Sequence, residues 1–403
     1  MRTVFLNPGA ELGGAETALL DLLAALREAR PAWTMNLITS ADGPLVARAA
    51  ALGVPSTPVT FPKSLASLGE WGSRGSVGGQ MRLGLALGRA ALPSMQYVSR
   101  LRRHLTDLAP DIVHTNGLKM HLLGARARPS GARVVWHMHD YPDSRPVTAK
   151  LLRLEASRCS AVIANSESVA KRTRQLLGAK ILVHTVHNSV DLERFRPEGP
   201  RADLDALANI PPLAEGGIRV GLVATFAKWK GHEVFLEALA MVQRATQPDN
   251  RVRGYIIGGP IYETGGSQFS VRELKDIASR KGLADGLGFT GRIDDVPNAM
   301  RALDIVVHAS VEPEPFGLVV AEAMACGRPV VVSRAGGAAE IAEAGALFHA
   351  PGNAGELAER LSQLIGDSGL RTSLGAAGRR AALHLFGSQR LSDALVPVYE
   401  ALS

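Results

Sequence analysis

The feature that most limits the possible folds of this chain is a repeated alternation of short β-branched runs with segments of helical periodicity. The runs TVFLN at 3–7, IVHTN at 112–116 and RVVWHMHD at 133–140 each lead through a loop into a helix-like segment, and the same order recurs from RVGLVATF at 219–226 to PVVVS at 329–333. Strands that alternate with helices predict parallel sheets covered by helices on both faces. The chain is therefore expected to be an α/β protein.

A segment rich in proline, glycine and charge at 191–217 separates two such sets of strands. The length of 403 residues is sufficient for two domains. We predict two doubly wound Rossmann-like domains, at 1–190 and 191–386, and a C-terminal helix at 387–403 that packs back towards the first domain. Ligands of such folds bind beyond the carboxyl ends of the strands, so two domains facing each other predict a binding cleft.

The composition is that of an ordinary globular protein, with 46% hydrophobic and 21% charged residues. Its two cysteines, Cys159 and Cys326, form no CxxC motif and indicate a reducing cytoplasm. The first apolar run is broken by Asn7 and Pro8, and no apolar run of about 18 residues occurs. Neither a signal peptide nor a membrane span is therefore expected.

The net charge of +7 is concentrated in the first half of the chain, where no acidic residue lies between Glu70 and Asp107. We interpret the segment 71–105, with six arginines among apolar residues, as a basic surface able to rest on the anionic inner face of a membrane. The alternative is a solvated arginine face over a core helix pair. Nucleic acid is not expected as a partner, because only 5% of the residues are aromatic.

Two loops of the second half carry charged residues where a strand leads into a helix. FAKWKGHE at 226–233 places Lys228 and Lys230 where a loop enters a helix. The free amides and positive dipole of a helix N-terminus, together with lysines, suit a phosphate. A solvated lysine pair is the alternative.

EPEPFGLVVAE at 312–322 predicts a turn at Pro315 and Gly317 and a helix from about Leu318. Ionised carboxylates only accept hydrogen bonds, so Glu314 and Glu322 beside a phosphate suit the hydroxyls of a ribose or a sugar. A surface position is the alternative for Glu322, but its apolar neighbours predict that it is buried.

The first half carries weaker motifs. Gly13 and Gly14 lie between the first strand and helix but do not form GxGxxG, so a dehydrogenase is poorly supported. His137 and His139 are expected on the same face of a strand, where either one faces a cleft or both are core histidines. No metal is expected here, because HxH lacks a matching third ligand.

Taken in order, these motifs resemble the retaining nucleotide-sugar glycosyltransferases of family 4, which have the two-domain GT-B fold. The resemblance covers nearly the whole chain. It is carried by the Glu–x7–Glu pattern of Glu314 and Glu322, and by FTGRIDDVPNAMRALDIVVHAS, AGGAAEI, the early GGAE and HNSVDLERFRP. It implies transfer of a sugar, with retention, from a UDP- or GDP-sugar to a glycan, lipid-linked or small-molecule acceptor in cell-surface polysaccharide or glycolipid synthesis.

The resemblance also implies roles for single residues. Gly13 and Gly14 would line the donor diphosphate, which Lys230 would bind. Glu322 would hold the ribose, Glu314 would contact the sugar, and His139 would lie near its reacting end. The backbone after Phe316, at Gly317, Leu318 and Val319, would approach sugar and phosphate.

One position departs from the family. Thr225 stands where an arginine is usual, and Lys228 is the candidate replacement for its charge. No metal or other cofactor is expected if lysines and helix N-termini neutralise the diphosphate. The DxD of Asp203 and Asp205 lies in the linker with no strand before it and is interpreted as a solvated loop.

The acceptor is expected in the N-terminal half, because the donor residues lie in the C-terminal half. The group that deprotonates it stays open between Glu314 and the leaving phosphate. The alternatives to a transferase are a nucleotide-sugar-binding protein without catalysis and a phosphorylase or hydrolase on the same fold.

Overall fold

The structure is a computed structural model. It describes residues 1–62, 64, 77–246, 251–260, 267–283 and 286–403, and for 77–90 it describes the backbone alone. The chain divides into two compact units. An N-terminal unit comprises Met1–Ser189 and Ser388–Ser403, and a C-terminal unit comprises Val190–Gly387.

Within the described residues, the N-terminal unit contains a parallel sheet of seven strands in the order β3-β2-β1-β4-β5-β6-β7. These strands are β1 (Arg2–Asn7), β2 (Thr34–Thr39), β3 (Ser56–Pro58), β4 (Ile112–Asn116), β5 (Arg133–Met138), β6 (Ala161–Ala164) and β7 (Val183–Thr185). The helices are Gly14–Ala29, Pro44–Ala51, Val77–Leu108, Leu118–Ala127, Pro146–Glu155, Glu167–Leu177 and Ser388–Glu400, with a 3-10 turn at Ala156–Arg158.

Both faces of this sheet are buried. Successive residues of each strand point to opposite sides of the sheet, and each side packs into its own core. Val113 joins a core with Leu101 and Trp136, whereas Ile112 joins a second core on the other face. That second core includes Leu395 and Tyr399 of the last helix. The C-terminal helix is thus a structural part of the N-terminal unit.

Within the described residues, the C-terminal unit has a parallel sheet of six strands in the order β10-β9-β8-β11-β12-β13. The strands are β8 (Ile218–Val223), β9 (Val252–Ile257), β10 (Leu287–Gly291), β11 (Ile305–His308), β12 (Val330–Ser333) and β13 (Ala346–His349). The helices are Leu204–Leu207, His232–Ala245, Val271–Arg280, Val296–Ala302, Leu318–Ala325, Gly336–Ile341, Ala354–Gly366 and Ser368–Leu385, with a 3-10 turn at Lys228–Lys230.

The strand order reverses between β8 and β11, which are neighbours although β9 and β10 intervene in the sequence. In β11, Ile305 and Val307 point into one core and Val306 points into the other. The helices that follow β8 and β11 join different cores, one on each face of the sheet. Open α/β sheets bind their ligands at such a switch point. The two-domain α/β fold predicted from the sequence is confirmed.

The interpretation of Asp203 and Asp205 as a solvated loop is wrong for Asp205. Asp203 caps the short helix Leu204–Leu207 through the amide of Ala206. Asp205 is 4% exposed. Its carboxylate accepts hydrogen bonds from Arg219, Arg253 and Tyr255. Burial alone would raise the pKa of Asp205, but these donors lower it below its usual range, so Asp205 is an ionised structural residue.

The basic segment 71–105 is described in part. Residues 71–76 and the side chains of Arg82 and Arg89 lie outside the described residues. On the helix Val77–Leu108, Leu92 and Met95 are 64% and 69% exposed, close in sequence to exposed arginines at 100, 102 and 103. None of the helices that the structure describes is both long and apolar enough to cross a membrane.

Candidate functional site

Two loops of the C-terminal unit are joined at the switch point of its sheet. The amide of Val311, after β11, donates a hydrogen bond to the carbonyl of Trp229, after β8, at 2.8 Å. Gly231 closes the first loop with φ +75°, and a Cβ there would lie 1.9 Å from the carbonyl oxygen of Ala309. Only glycine permits this approach, which fixes the position of Lys230 beside the second loop.

Lys230 and Glu314 form an ion pair between these loops. Lys230 Nζ donates to Glu314 Oε1 at 2.5 Å, with the two side chains 17% and 12% exposed. Nζ also lies 4.1 Å from the centroid of the Trp229 ring. Burial alone would raise the pKa of Glu314, but Lys230 and His308 lower it well below its usual range. Glu314 is therefore an ionised, largely buried carboxylate.

The second oxygen of Glu314 is held by two residues that the sequence analysis did not single out. His308 Nε2 lies 2.7 Å from Glu314 Oε2, and Ser310 Oγ donates to the same oxygen at 2.9 Å. His308 ends β11 and Ser310 follows two positions later. Residues two positions apart in an extended chain point to the same side. This spacing is the sequence feature that could have placed His308 and Ser310 together.

A glycine turn leads from Glu314 into the helix Leu318–Ala325. Gly317 has φ +91°, and a Cβ there would lie 2.7 Å from the Cβ of Ala338. Phe316 is buried at 3% exposure and anchors the turn in the core. The helix begins at Leu318, as predicted, and its first turn contains no acidic residue. Its N-terminal amides therefore present partial positive charge without a competing side-chain carboxylate in that turn.

Glu322 is half-buried rather than buried. Its neighbours Ala321 and Ala323 are fully buried. Glu322, however, shares the half-exposed face of the helix with Leu318 and Val319, because residues three and four apart lie on one side. The prediction from its apolar neighbours was wrong about burial. The carboxylate lies on the same face as the first residues of the helix.

A third loop is tied to this site through its backbone. The carbonyl of Glu314 accepts a hydrogen bond from the amide of Gly337 at 2.7 Å, and Glu314 forms a parallel bridge with Gly336. Gly336 begins the helix that follows β12. The loops after β8, β11 and β12 therefore meet at Glu314.

The two other predicted residues of this unit lie close by in sequence. Lys228 is exposed, and its Nζ lies 5.5 Å from the centroid of the Phe269 ring. Its amide donates to the carbonyl of Ser267. Thr225 is half-buried just beyond the end of β8. The structure thus brings Lys230 to Glu314 and directs Lys228 towards Phe269.

The remaining predicted residues belong to the N-terminal unit. Gly13 caps the helix that begins at Gly14, and its amide donates to Glu16 Oε2 at 3.2 Å. Glu16 Oε1 in turn accepts from Asn7 at 3.2 Å. The first turn of this helix is therefore capped by the chain's own carboxylate.

His137 and His139 lie side by side, as the sequence predicted, with ring centroids 4.0 Å apart. His137 also meets His114 edge to face at 5.2 Å, and His114 Nδ1 lies 2.7 Å from Tyr399 Oη. Burial lowers the pKa of His114 to about 3 and that of His139 to about 4, and it lowers that of His137 well below its usual value. These imidazoles are neutral at physiological pH.

Family comparison agrees with this architecture. A model described as Glycosyltransferase Family 4 matches residues 12–194, and one described as Glycosyl transferases group 1 matches residues 205–381. Over 246 residues the chain is 32% identical to a D-inositol 3-phosphate glycosyltransferase of Streptomyces bingchenggensis, covering 59% of this chain and 52% of that protein. It is 29% identical over 264 residues to spore coat protein SA of Bacillus subtilis, covering 62% and 68%.

Solved structures share the whole fold. HepE of Anabaena, crystallised in complex with UDP and glucose, is 25% identical, with a TM-score of 0.78 and full coverage of both chains. Sucrose-phosphate synthase of Thermosynechococcus elongatus, at 19% identity and a TM-score of 0.78, shows likeness of fold alone.

The two Rossmann-like units and these likenesses define the fold as GT-B. The chain belongs to the GT-B glycosyltransferases of family 4. Its matches span between 41% and 62% of the length of three inositol phosphate glycosyltransferases.

Proposed function

We propose that this protein is a retaining glycosyltransferase that moves a sugar from a UDP- or GDP-sugar to a glycan, lipid-linked or small-molecule acceptor. The observation that carries the proposal is the Lys230–Glu314 ion pair beside an uncapped helix start. It combines a cation and amides for a diphosphate with a carboxylate for sugar hydroxyls. The UDP and glucose bound by HepE support a donor of this class.

In this proposal the C-terminal unit binds the donor. Lys230 and the amides at Gly317, Leu318 and Val319 receive the diphosphate, and their positive charge stabilises the leaving group as its bond to the sugar breaks. Glu322, on the same helix face, accepts hydrogen bonds from the ribose. Lys228 supplies further charge where Thr225 replaces the usual arginine. No metal is required in this scheme.

Glu314 contacts the transferred sugar but is poorly suited to attack it. Its two oxygens already accept from Lys230, His308 and Ser310, and its pKa is lowered. A weakly basic carboxylate with three donors is a poor nucleophile and a poor general base. This favours attack on the face that the diphosphate leaves, with the leaving phosphate taking the proton of the acceptor.

The N-terminal unit is proposed to bind the acceptor and to reach the sugar through His139. A neutral His139 can exchange hydrogen bonds with hydroxyls without placing a positive charge beside them. Gly13 and Gly14 are proposed to lie near the donor diphosphate. Cell-surface polysaccharide or glycolipid synthesis is the proposed setting, in the cytoplasm and on the inner face of the membrane.

A thermal-shift panel of UDP- and GDP-sugars tests the donor, because a ligand that binds the native state raises the melting temperature. Lys230→Met should weaken binding of the parent nucleoside diphosphate by about 10–100-fold, the usual value of a charge-assisted hydrogen bond. Lys281→Met is the matched control, because Lys281 forms an ion pair with Glu237 in the same unit but outside this site.

Release of nucleotide then distinguishes the alternatives. A transferase releases nucleotide faster when its acceptor is present, whereas a hydrolase releases it equally without one. A binding protein without catalysis would gain thermal stability from the nucleotide sugar and release no nucleotide. Absence of any shift across the panel would refute the proposed function.

A further inference from the structure

Glu314 is held from two sides by different residues. Lys230 occupies Oε1, while His308 and Ser310 both meet Oε2. An ionised carboxylate only accepts hydrogen bonds, so Nε2 of His308 carries the proton in this contact. His308 is 5% exposed, and its Nδ1 has no hydrogen-bond partner among the described residues. Nε2 also lies 3.1 Å from Ser310 Oγ, so the ring is held by packing, by Glu314 and by Ser310.

The two sides of Glu314 differ in what else they can bind. Lys230 is the cation that the proposed function assigns to the diphosphate. When its ammonium turns towards phosphate, the hydrogen bond to Glu314 is weakened or broken. A buried carboxylate that loses its partners is costly and rotates or takes up a proton. His308 and Ser310 lie on β11 and just after it, and bind the opposite oxygen. They can hold the carboxylate whether or not Lys230 does.

We propose that His308 and Ser310 are positioning residues that keep Glu314 oriented towards the donor sugar while Lys230 binds the diphosphate. This inference rests on the proposed function. It divides the site into a phosphate side, at Lys230, and a sugar side, at His308 and Ser310, with Glu314 between them. Loss of His308 should therefore affect the sugar portion of the donor and spare the nucleotide portion.

The test compares a nucleoside diphosphate with its sugar ester, using UDP with UDP-glucose and, in parallel, GDP with GDP-mannose. His308→Leu should weaken binding of the sugar nucleotide by about 10-fold and change that of the free diphosphate by less than about 2-fold. His308→Gln keeps an N–H donor near the position of Nε2 and should recover most of the loss. Ser310→Ala should show a smaller loss of the same kind.

A double-mutant comparison separates positioning from general damage. In a Glu314→Ala background there is no carboxylate to orient, so His308→Leu should cause no further loss of sugar-nucleotide binding. Equal losses for diphosphate and sugar nucleotide, additivity in that background, or no effect of His308→Leu would each overturn the inference. If the wild-type protein bound neither pair, the proposed function would fail first and the inference with it. Circular dichroism checks that each variant is folded.

Discussion

Gly231 approaches Ala309 so closely that a methyl group on its α-carbon would lie 1.9 Å from the Ala309 carbonyl oxygen. This contact joins the loop of Lys230 to the loop of Glu314 beyond the ends of β8 and β11, which are neighbours in the sheet. The position of the candidate site is therefore set by the backbone, before any side chain contributes.

Gly231→Ala should destabilise the C-terminal unit and misplace Lys230. Gly282→Ala is a matched control, because Gly282 has φ +78° but open space around its α-carbon. The control should lower the free energy of unfolding by about 1–2 kcal/mol, the cost of a left-handed alanine. Gly231→Ala should lower it by about 3–5 kcal/mol and also weaken nucleotide binding. Denaturant unfolding measures the loss of stability in both variants. Equal losses of unfolding free energy would contradict the steric argument.

Glu322→Ala should weaken binding of the nucleoside diphosphate by about 10–100-fold if the carboxylate holds the ribose hydroxyls. The exposed Glu343 offers a control, and Glu343→Ala should bind normally. A 2′,3′-dideoxy nucleotide lacks those hydroxyls and should bind the wild-type and Glu322→Ala proteins about equally. Unchanged nucleotide affinity with loss of turnover would show that the role assigned to Glu322 is wrong.

The stability of the N-terminal unit should fall with pH below about 6.5. Buried His114 and His137 have pKa values lowered in the folded state, to about 3 for His114, whereas histidines of an unfolded chain titrate near 6.5. The unfolded state therefore binds more protons as the pH falls. Each such histidine should remove about 1.4 kcal/mol of unfolding free energy per pH unit.

Denaturant unfolding between pH 7.5 and 5, followed by tryptophan fluorescence to which buried Trp136 contributes, measures this slope. The pKa values of the ionised carboxylates Asp205 and Glu314 are lowered, so their contributions are lost only at more acidic pH. His137→Asn should reduce this slope by the contribution of one histidine, about 1.4 kcal/mol per pH unit. A slope unchanged by that substitution would show that His137 is not the buried neutral group described.

The exposed side chains between Leu92 and Arg103 should bind anionic membranes. Leu92 and Met95 offer apolar side chains, and Arg100 and Arg103 offer charge. The protein should sediment with vesicles that contain phosphatidylglycerol and not with pure phosphatidylcholine. Replacing the two arginines by glutamine should abolish this binding, whereas Arg380→Gln on the C-terminal unit should not. Equal binding to both kinds of vesicle would refute an electrostatic contact.

The alternation of strands and helices correctly predicted two doubly wound α/β domains, and the motif order correctly predicted the family. The strands that escaped prediction are short. β3 has three residues including a proline, and β13 reads ALFH without a β-branched residue. Their strand conformation comes from pairing with β2 and β12, which local sequence does not reveal.

The sequence placed Lys230 and Glu314 in one site, and the structure brings them within 2.5 Å. The roles of the site residues stay predictions. His308 and Ser310 were overlooked because they read as the end of a buried strand. Their hydrogen bonds to Glu314 depend on how the following loop folds back towards the strand. Without the conformation of that loop, His308 cannot be distinguished from an ordinary core residue. Glu322 was expected to be buried, because composition alone cannot tell which face of a short apolar helix is open.

The last helix of the chain, Ser388–Glu400, completes the core of the first unit, where Tyr399 meets His114 across 285 positions of sequence. During synthesis the ribosome makes the whole of Val190–Gly387 before this helix exists. One face of the first sheet therefore stays uncovered by its final helix until the second unit has left the ribosome. Synthesis of the N-terminal unit begins first, but its core is completed only after the C-terminal unit has been synthesised. The two units therefore cannot complete folding one after the other in the order of the sequence.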